Sequence, residues 1–222
     1  MFTTDRSTAP GVEIRHAVTR NEVSDVARWR REAGNPMPRQ ATRHLLGIHD
    51  ARLLSTGLTR GFASTVLRRL RAPVSIPTVV AARTMALIAF VDGIPVGGLT
   101  AGPSMPLCVR LADAGHAAVL HAALSTVEVH GIAVDALWQH CGIGSTLLRR
   151  AVQICEESDV QIIYAHLDPT QPMHKRFARQ HRWHISEPGT PLDLHPHTDL
   201  PALITPRTPE GSVCHLTIGD RR

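Results

Sequence analysis

Two glycines, two residues apart, open an amphipathic segment in the second half of the chain. Gly142 and Gly144 stand in LWQHCGIGSTLLRRAVQ, residues 137–153, and apolar residues then recur at helical spacing. The N-terminus of a helix carries unpaired N–H groups and a partial positive charge, and glycine leaves that backbone open to an anion. The pattern therefore indicates a helix whose entrance could bind phosphate.

Two common nucleotide motifs do not fit this stretch. A Walker loop needs lysine after its last glycine, where Ser145 stands, and a dinucleotide fingerprint needs glycine where Leu147 stands. Glycines at this spacing also occur where a tight turn or close helix packing requires them. The pair alone leaves a structural and a phosphate-binding interpretation open.

Composition and charge limit the kinds of fold and partner that the chain is expected to have. The chain has 222 residues, of which 43% are hydrophobic, enough to build one substantial core. The formal net charge of +5 favours an anionic partner weakly, because the arginines are scattered rather than clustered. Aromatic residues make up only 4%, so a stacking platform for single-stranded nucleic acid is not expected.

Cysteine and histidine usage predicts neither disulfides nor a metal site. The four cysteines have no C-x-x-C spacing and no signal-like segment follows Met1, which predicts reduced thiols in a cytoplasmic protein. The longest apolar stretch, 79–91, is interrupted by Arg83 and is too short to span a bilayer, so no membrane association is expected. His195 and His197 are close in sequence, but two ligands in a proline-rich stretch, with no constellation of cysteines or carboxylates, do not predict a zinc site, and no metal is expected.

The remaining pattern predicts a mixed sheet with helices on its faces, an α/β or α+β architecture. Strands are expected at 12–18, on both sides of the Asp92-Gly93 turn, at 125–135, 160–167 and 183–187, and at 212–218 as an edge strand. Helices are expected at 21–32 with Asn21 as N-cap, at 61–71 as the only helix of 34–80, at 111–124, from Gly142 onward, and at 171–183. The proline-rich stretch 188–210 is expected to be a loop.

The order of these elements resembles the GNAT acetyltransferase superfamily. A strand ending in GIAVD, a short connection, Gln139-x-x-Gly142-x-Gly144 and an amphipathic helix are similar to the acetyl-CoA signature of that family. The strand IIYAHL follows, with Gln171 at an Asn-like position, Phe177 at an apolar helix position and Arg182-Trp183 at a Gly-Phe-like end. The resemblance covers 125–187 and, more loosely, 12–103.

The resemblance implies a GNAT fold, with a mixed, mostly antiparallel twisted sheet flanked by helices. It implies one domain over 1–222, with variable segments at 34–80, 104–124 and 188–210. The insertion 104–124 could serve as a lid, as a dimer contact or as a longer connection between strands. The second of these roles keeps a homodimer among the alternatives. His116 and His121 in that insertion are candidate acceptor contacts.

The resemblance also implies acetyl-CoA as cosubstrate. Backbone groups of one strand would pair with the pantetheine arm, the amides of 140–145 would hold the pyrophosphate, and Gln171 and Phe177 would line the pantetheine and acetyl end. Gln139, Arg149, Arg150 or Lys175 would reach the outer phosphates, although a solvated helix face is the favoured interpretation of the two arginines. The expected cofactor-binding residues are Ile132, Ala133, Val134, Gln139, His140, Cys141, Gly142, Ile143, Gly144, Ser145, Gln171 and Phe177.

Acetyl transfer to an amine needs a base for the amine and a proton for the leaving thiolate. Glu128 and His130 precede the cofactor-binding segment, and their i, i+2 spacing sets them on one face of the strand, where either is a candidate base or a structural residue. The family's tyrosine acid is missing, because Ala178 stands at its position and the only tyrosine, Tyr164, lies in the preceding strand. His174 is a candidate acid, or part of a basic solvated face, and solvent can also protonate a thiolate.

The resemblance therefore implies an N-acetyltransferase that transfers an acetyl group directly, in a ternary complex, to a small-molecule, peptide or protein amine. Ala178 keeps an alternative open, a GNAT-fold protein that binds acyl-CoA as a sensor or interaction module without turnover. The basic pI keeps a third open, acetylation of tRNA-linked or ribosomal substrates, for which salt-sensitive RNA binding is the test.

Overall fold

The computed structural model describes residues 11–32, 39–68 and 75–219, which form nine strands, nine α-helices and two short 3₁₀ helices (Ala112–Ala114 and Ala136–Trp138). The strands are β1 (Val12–His16), β2 (Met85–Val91), β3 (Ile94–Gly102), β4 (Thr126–Val134), β5 (Ile162–Leu167), β6 (His184–Ile185), β7 (Leu192–Asp193), β8 (Leu203–Ile204) and β9 (Ser212–Thr217). The helices are α1 (Arg20–Glu32), α2 (Arg39–Asp50), α3 (Phe62–Arg68), α4 (Ile76–Ala82), α5 (Met105–Arg110), α6 (His116–Ser125), α7 (Ile143–Glu157), α8 (Pro172–Gln180) and α9 (His195–Thr198).

Seven strands form one sheet in the order β1-β2-β3-β4-β5-β9-β6. Every neighbouring pair is antiparallel except β4 and β5, which run parallel. The short strands β7 and β8 pair separately. This is the expected mixed, mostly antiparallel sheet flanked by helices, so the predicted fold class is confirmed.

The sheet is covered on both faces. Along β5, Ile163 belongs to the cluster that packs under α7, whereas Ile162 and Tyr164 belong to a second cluster formed with α4, α5 and α6. Alternation along a strand explains the division, since successive side chains point to opposite faces. A third cluster holds α1 and α2 against β2. None of the helices within the described ranges is long and apolar enough to cross a membrane.

Local sequence signals located several elements correctly. Val91 pairs with Ile94 across Asp92-Gly93, as the hairpin signal predicts. The predicted apolar face of α7 is buried along its whole length; its residues are Ile143, Leu147, Leu148, Ala151, Val152, Ile154 and Cys155. The helix predicted at 111–124 appears as α6, so the insertion 104–124 is helical and packs on the sheet through the second cluster.

The predicted N-cap of α1 is wrong. Thr19, not Asn21, caps the helix, because its hydroxyl accepts a 3.2 Å hydrogen bond from the Glu22 amide. The Glu22 carboxylate in turn accepts from the amides of Val18 at 2.8 Å and Thr19 at 3.2 Å. This reciprocal arrangement is a capping box, whose Thr-x-x-Glu spacing is present in the sequence at 19–22.

Three further predictions need correction. Residues 34–80 contain α2 and α4 besides α3, while 34–38 and 69–74, including the end of the helix predicted at 61–71, lie outside the described residues. The stretch 188–210 contains β7, α9 and β8, because its buried leucines anchor it to the second cluster. Strand β9 is not an edge strand, since β6 pairs along its outer side.

Candidate functional site

Strands β4 and β5 separate partway along their length. They pair in parallel from Thr126 with Ile162 to Glu128 with Tyr164, and no later pair joins them. Strand β4 continues to Val134 against β3, with a register shift that leaves His130 as an extra, bulged residue between Val129 and Gly131. Within the described residues, the distal half of β4 therefore has a strand on only one side, and the opening begins directly beyond Glu128.

The bulge changes how Glu128 and His130 relate. Strict alternation would place them on one face, but the extra residue interrupts the alternation after Val129. The two groups nevertheless interact electrostatically. Burial raises the pKa of Glu128, and the charge of His130 lowers it. Glu128 is buried, whereas His130 is half-buried. The bulge therefore removes the regular alternation on which the expected shared face of the two candidate bases depends, and that shared face stays a prediction.

The entrance of α7 offers backbone donors. Gly142 is the N-cap with φ +82°, a left-handed conformation that favours glycine, and no side chain caps the helix. The first hydrogen bond of the helix runs from the Thr146 amide to the Gly142 carbonyl, so the amides of 143–145 precede it. His140, just before, also has a positive φ of 63°. The N–H groups of 143–145 are therefore placed at the helix entrance, where they could donate hydrogen bonds to an anion such as phosphate.

The α7 entrance lies against the end of β4 and against α8. A β-carbon at Gly144 would lie 3.8 Å from the Phe177 ring and 3.9 Å from the Val134 side chain. The Ser145 hydroxyl is 3.0 Å from His181 Nε2, which joins α7 to the end of α8. Gly144, Phe177 and Val134, all expected cofactor-binding residues, are therefore in one place.

The other expected cofactor-binding residues surround this point with varied roles. The side-chain amide of Gln139 donates a 3.0 Å hydrogen bond to the Val134 carbonyl. The exposed Cys141 thiol lies 3.5 Å from the backbone carbonyl of Gln139, so both side chains have partners within the turn. Gln171 is exposed at the N-cap of α8. Arg149 is exposed on α7 and donates 3.0 Å to the Thr146 hydroxyl, which agrees with a solvated helix face.

Glu128 lies where the opening between β4 and β5 begins, and polar side chains surround its carboxylate. Its Oε1 accepts a 2.7 Å hydrogen bond from Arg207 Nη2 and is 3.9 Å from His166 Nε2. Burial raises the pKa of Glu128, but His130, the Ser104 hydroxyl, His166 and Arg207 lower it more, to a value below the ordinary one. The carboxylate is therefore ionised at neutral pH although its side chain is only 5% exposed.

A row of side chains crosses the sheet at this level. The register pairs Gly102 with Glu128, Glu128 with Tyr164, Tyr164 with His215 and His215 with His184. Tyr164 is fully buried, and burial, together with the charge of Glu128, raises the pKa of its hydroxyl. Tyr164 is thus brought beside the candidate base but held in the protonated form.

The α8 candidates stand on a helix and do not belong to this row. Ala178 is buried in the cluster under α7, so its position is filled by core packing and holds no acid. His174, one turn earlier, is half-buried, and burial lowers its pKa against the opposing charge of Asp168. Its candidacy as an acid stays a prediction.

Sequence reasoning missed three residues beside Glu128, namely Ser104, His166 and Arg207. His166 carried a usable signal, because it follows Tyr164 by two positions on the strand next to β4 and so shares its face. The sequence gives no such signal for Ser104 or Arg207. Ser104 follows a strand, and Arg207 lies near the end of the proline-rich stretch 188–210, which was expected to be a loop. Among the described residues, no group of three or more histidine, cysteine, aspartate or glutamate side chains is arranged to hold a metal ion.

Acidification from about pH 7 to about pH 5 is expected to lower the free energy of unfolding, with His215 as one cause. Burial, then the neighbouring His197 and His184, lowers the pKa of His215 from 6.5 to about 4. The unfolded chain therefore binds a proton in a range where the native chain does not, so stability is lost as the pH falls from 6.5 towards 4. Chemical denaturation of His215→Leu should show a weaker pH dependence than the parent, whereas His116→Leu, at an exposed position, should keep the parental slope. Equal slopes in all three proteins would remove His215 as a cause.

Comparison with known proteins gives a family match and shared folds. A model of the acetyltransferase (GNAT) family matches residues 60–181, more than half of the chain. The yncA structure from Salmonella typhimurium, solved with its cofactor acetyl-CoA, is 12% identical over 95% of this chain and 96% of that one, with a TM-score of 0.54. Ard1 from Thermoplasma volcanium is 13% identical over 94% and 98%, with a TM-score of 0.53. Ribosomal-protein-alanine N-acetyltransferase from Brucella melitensis is 16% identical over 93% and 99%, with a TM-score of 0.52. No match was found among curated proteins.

Proposed function

The chain belongs to the GNAT acetyltransferase family, and we propose that it transfers an acetyl group from acetyl-CoA to a primary amine by direct attack within a ternary complex. The observation that carries the proposal is the opening between β4 and β5, which begins one residue beyond the buried, ionised Glu128. The donor-rich entrance of α7 lies at the other end of the same stretch of β4. The two ends of an acyl-CoA would therefore meet a phosphate site and a base.

The proposed cofactor path follows β4. The backbone of Ile132, Ala133 and Val134 pairs with β3 on one side and has no strand on the other, so an extended pantetheine arm fits as an added strand. The pyrophosphate would then lie at the amides of 143–145. Phe177, packed near Gly144 and Val134, forms the apolar wall between these two parts.

The reaction forms one C–N bond and breaks one C–S bond. The amine lone pair attacks the thioester carbonyl carbon, negative charge moves to the carbonyl oxygen, and collapse of the tetrahedral intermediate expels the CoA sulfur with its electron pair. The amine loses one proton and the thiolate gains one, so the proton count balances. The Glu128 carboxylate, directly or through a water molecule, is the proposed acceptor of the amine proton.

The proton for the thiolate has a different source in this proposal. Burial lowers the pKa of His174, so the imidazolium form that could donate is scarce at neutral pH. Tyr164 is fully buried in the second cluster. Solvent therefore supplies the proton, which suffices because a thiolate is a good leaving group.

The proposal treats 1–222 as a single domain in the cytoplasm. Strand β1 and helix α1 lie outside the family match at 60–181, yet β1 extends the same sheet and α1 packs on it. Strand β9, beyond the other end of the match, is inserted between β5 and β6. Segments on both sides of the match thus complete one sheet.

The test of the cofactor site is a charge change at Gly142. Asparagine and aspartate both tolerate the left-handed conformation and both cap helices well, so Gly142→Asn and Gly142→Asp should fold equally. Among the described residues other than the two chain neighbours of Gly142, no atom lies within 4 Å of an added β-carbon at this position. Aspartate should repel the pyrophosphate and weaken acetyl-CoA binding by about tenfold or more relative to asparagine, as measured by calorimetric titration.

Thiol release with a panel of amines completes the test. Acetyl-CoA binding that is weakened in Gly142→Asp, together with thiol release for at least one amine, supports the enzyme. Binding without turnover for any amine would assign the chain to the alternative, an acyl-CoA-binding sensor, for which Ala178 at the usual tyrosine position is the favouring observation. Failure of the parent protein to bind acetyl-CoA would overturn both.

A further inference from the structure

An anchored part of the proline-rich segment brings Arg207 to Glu128. Strands β7 and β8 of this segment pair with each other, and Arg110 on α5 donates a 2.9 Å hydrogen bond to the Leu203 carbonyl. Its buried apolar residues belong to the same cluster as Tyr164; they are Leu192, Leu194, Leu200 and Ile204. Arg207 follows Ile204 by three positions, with Pro206 buried between them. The core thus fixes the chain just before Arg207.

The guanidinium lies on the solvent side of the candidate base. Arg207 Nη2 is 2.7 Å from Glu128 Oε1, and the Arg207 side chain is 50% exposed while that of Glu128 is 5% exposed. A planar guanidinium has five N–H donors arranged to hold a carboxylate through two parallel hydrogen bonds. An acceptor that approaches Glu128 from solvent therefore meets Arg207 first.

The charges around the base disfavour a purely cationic acceptor. Arg207 pairs with Glu128, and Arg110 also acts electrostatically on Tyr164 and His166. The charged or titratable groups shown to act on Glu128 are His130, His166 and Arg207, and none of them is anionic. The titratable groups shown to act on Glu128 are thus cationic or neutral, which favours an acceptor that carries an anionic group.

We propose that the acceptor is a small amine that carries a carboxylate, and that Arg207 binds this carboxylate and thereby selects the acceptor. The inference rests on the proposed function, since it places the acceptor amine at Glu128. Because the guanidinium and the base are in direct contact, the amine and the carboxylate of the acceptor must be separated by few bonds. An α-amino acid has this arrangement, whereas the N-terminus of a peptide lacks it.

Binding of such an acceptor also changes the base. The carboxylate of the acceptor competes with Glu128 for the Arg207 guanidinium. As Arg207 shifts towards the acceptor, Glu128 loses an ion-pair partner and becomes a stronger base at the moment when the amine arrives. The same residue thus links selection of the acceptor to activation of the base.

The experiment compares α-amino acids with matched amines that lack the carboxylate and with amino acid amides. Initial rates of thiol release from acetyl-CoA are measured for the parent chain, Arg207→Gln, Arg207→Lys and the matched control Arg68→Gln, whose arginine is exposed on α3. We expect at least one amino acid to exceed its amine by about tenfold or more in kcat/KM. Arg207→Gln should abolish this preference mainly through KM, Arg207→Lys should retain part of it, and Arg68→Gln should keep all of it.

A binding measurement separates failure of this inference from failure of the proposed function. The same amino acids and amines are titrated calorimetrically into the CoA-loaded chain, or into the free chain if CoA does not bind. Amino acid binding that is lost in Arg207→Gln, without thiol release for any amine, supports Arg207 as the site that binds the carboxylate and refutes the enzyme. Turnover of amines or amides equal to that of the amino acids, a preference that survives in Arg207→Gln, or no amino acid binding by the parent chain would each overturn the inference.

Discussion

Glu128→Gln should lower kcat/KM for the best amine acceptor by roughly 10²- to 10³-fold, while acetyl-CoA affinity stays within a factor of about two. Glutamine keeps the shape of the side chain and can still accept the hydrogen bond from Arg207, but it cannot take a proton from the amine. The cofactor contacts proposed on β4 begin beyond the bulge at His130, so they are not disturbed. Steady-state rates of thiol release and calorimetric titration measure the two quantities.

Two further variants show whether the loss belongs to Glu128. Glu13→Gln changes an exposed carboxylate on β1, three strands away, and should leave kcat/KM unchanged. His130→Asn removes the other candidate base and should cost less than Glu128→Gln if the carboxylate takes the proton. If His130→Asn shows the larger loss, or if Glu128→Gln remains within about threefold of the parent, Glu128 is not the base.

The pH profile adds an independent readout for Glu128. Its pKa is lowered from the ordinary 4.5, so the carboxylate stays ionised throughout the range above that value. A fall in rate between about pH 8 and about pH 6 should therefore come from protonation of the acceptor amine, and it should appear equally in the parent and in Glu128→Gln. A fall present only in the parent would indicate that Glu128 titrates in this range.

The parts of the fold that the sequence predicted well depend on local patterns. The apolar face of α7 and the Asp92-Gly93 turn are encoded within a few residues, so periodicity and turn chemistry suffice. Helix α4 was missed because its sequence IPTVVAA is rich in β-branched residues, which are typical of strands. Burial of Val79 and Val80 in the second cluster outweighs that weak preference, and such burial is a tertiary property.

Some residues of the candidate site could likewise be located from local sequence patterns, whereas others are placed by tertiary contacts. Gly142, Gly144 and Glu128 stand on elements whose order is visible along the chain, so their approximate placement could be predicted. Arg207 reaches Glu128 from 79 positions away, through a segment whose prolines resemble those of a loop. The bulge at His130 is likewise set by the pairing of β4 with β3, since nothing in STVEVHGIAVD marks an extra residue.

Arg83→Met should destabilise the fold by about 3 to 5 kcal/mol, more than any surface substitution, because it removes a buried charge that serves three carbonyl groups. Arg83 is fully buried, and its Nη1 donates 3.1 Å to the Gly57 carbonyl and 2.8 Å to the Ser158 carbonyl. Its Nη2 donates to the Leu124 carbonyl. Chemical denaturation at neutral pH measures the loss of unfolding free energy.

Two of the three acceptors explain why an arginine is buried here. Leu124 and Ser158 lie at the C-terminal ends of α6 and α7, where carbonyl groups have no helical partner and carry partial negative charge. Burial lowers the pKa of Arg83 to about 10, which still leaves it charged at neutral pH.

Two matched variants test this account of Arg83. Arg83→Lys keeps the charge but has no planar fork with which to serve all three carbonyls, so it should fall between the parent and Arg83→Met. Arg68→Met, an exposed arginine on α3, should change stability by no more than about 0.5 kcal/mol. If Arg83→Met is as stable as Arg68→Met, the carbonyls at the ends of α6 and α7 are satisfied without Arg83, and packing of each helix in its own cluster holds the two ends in place.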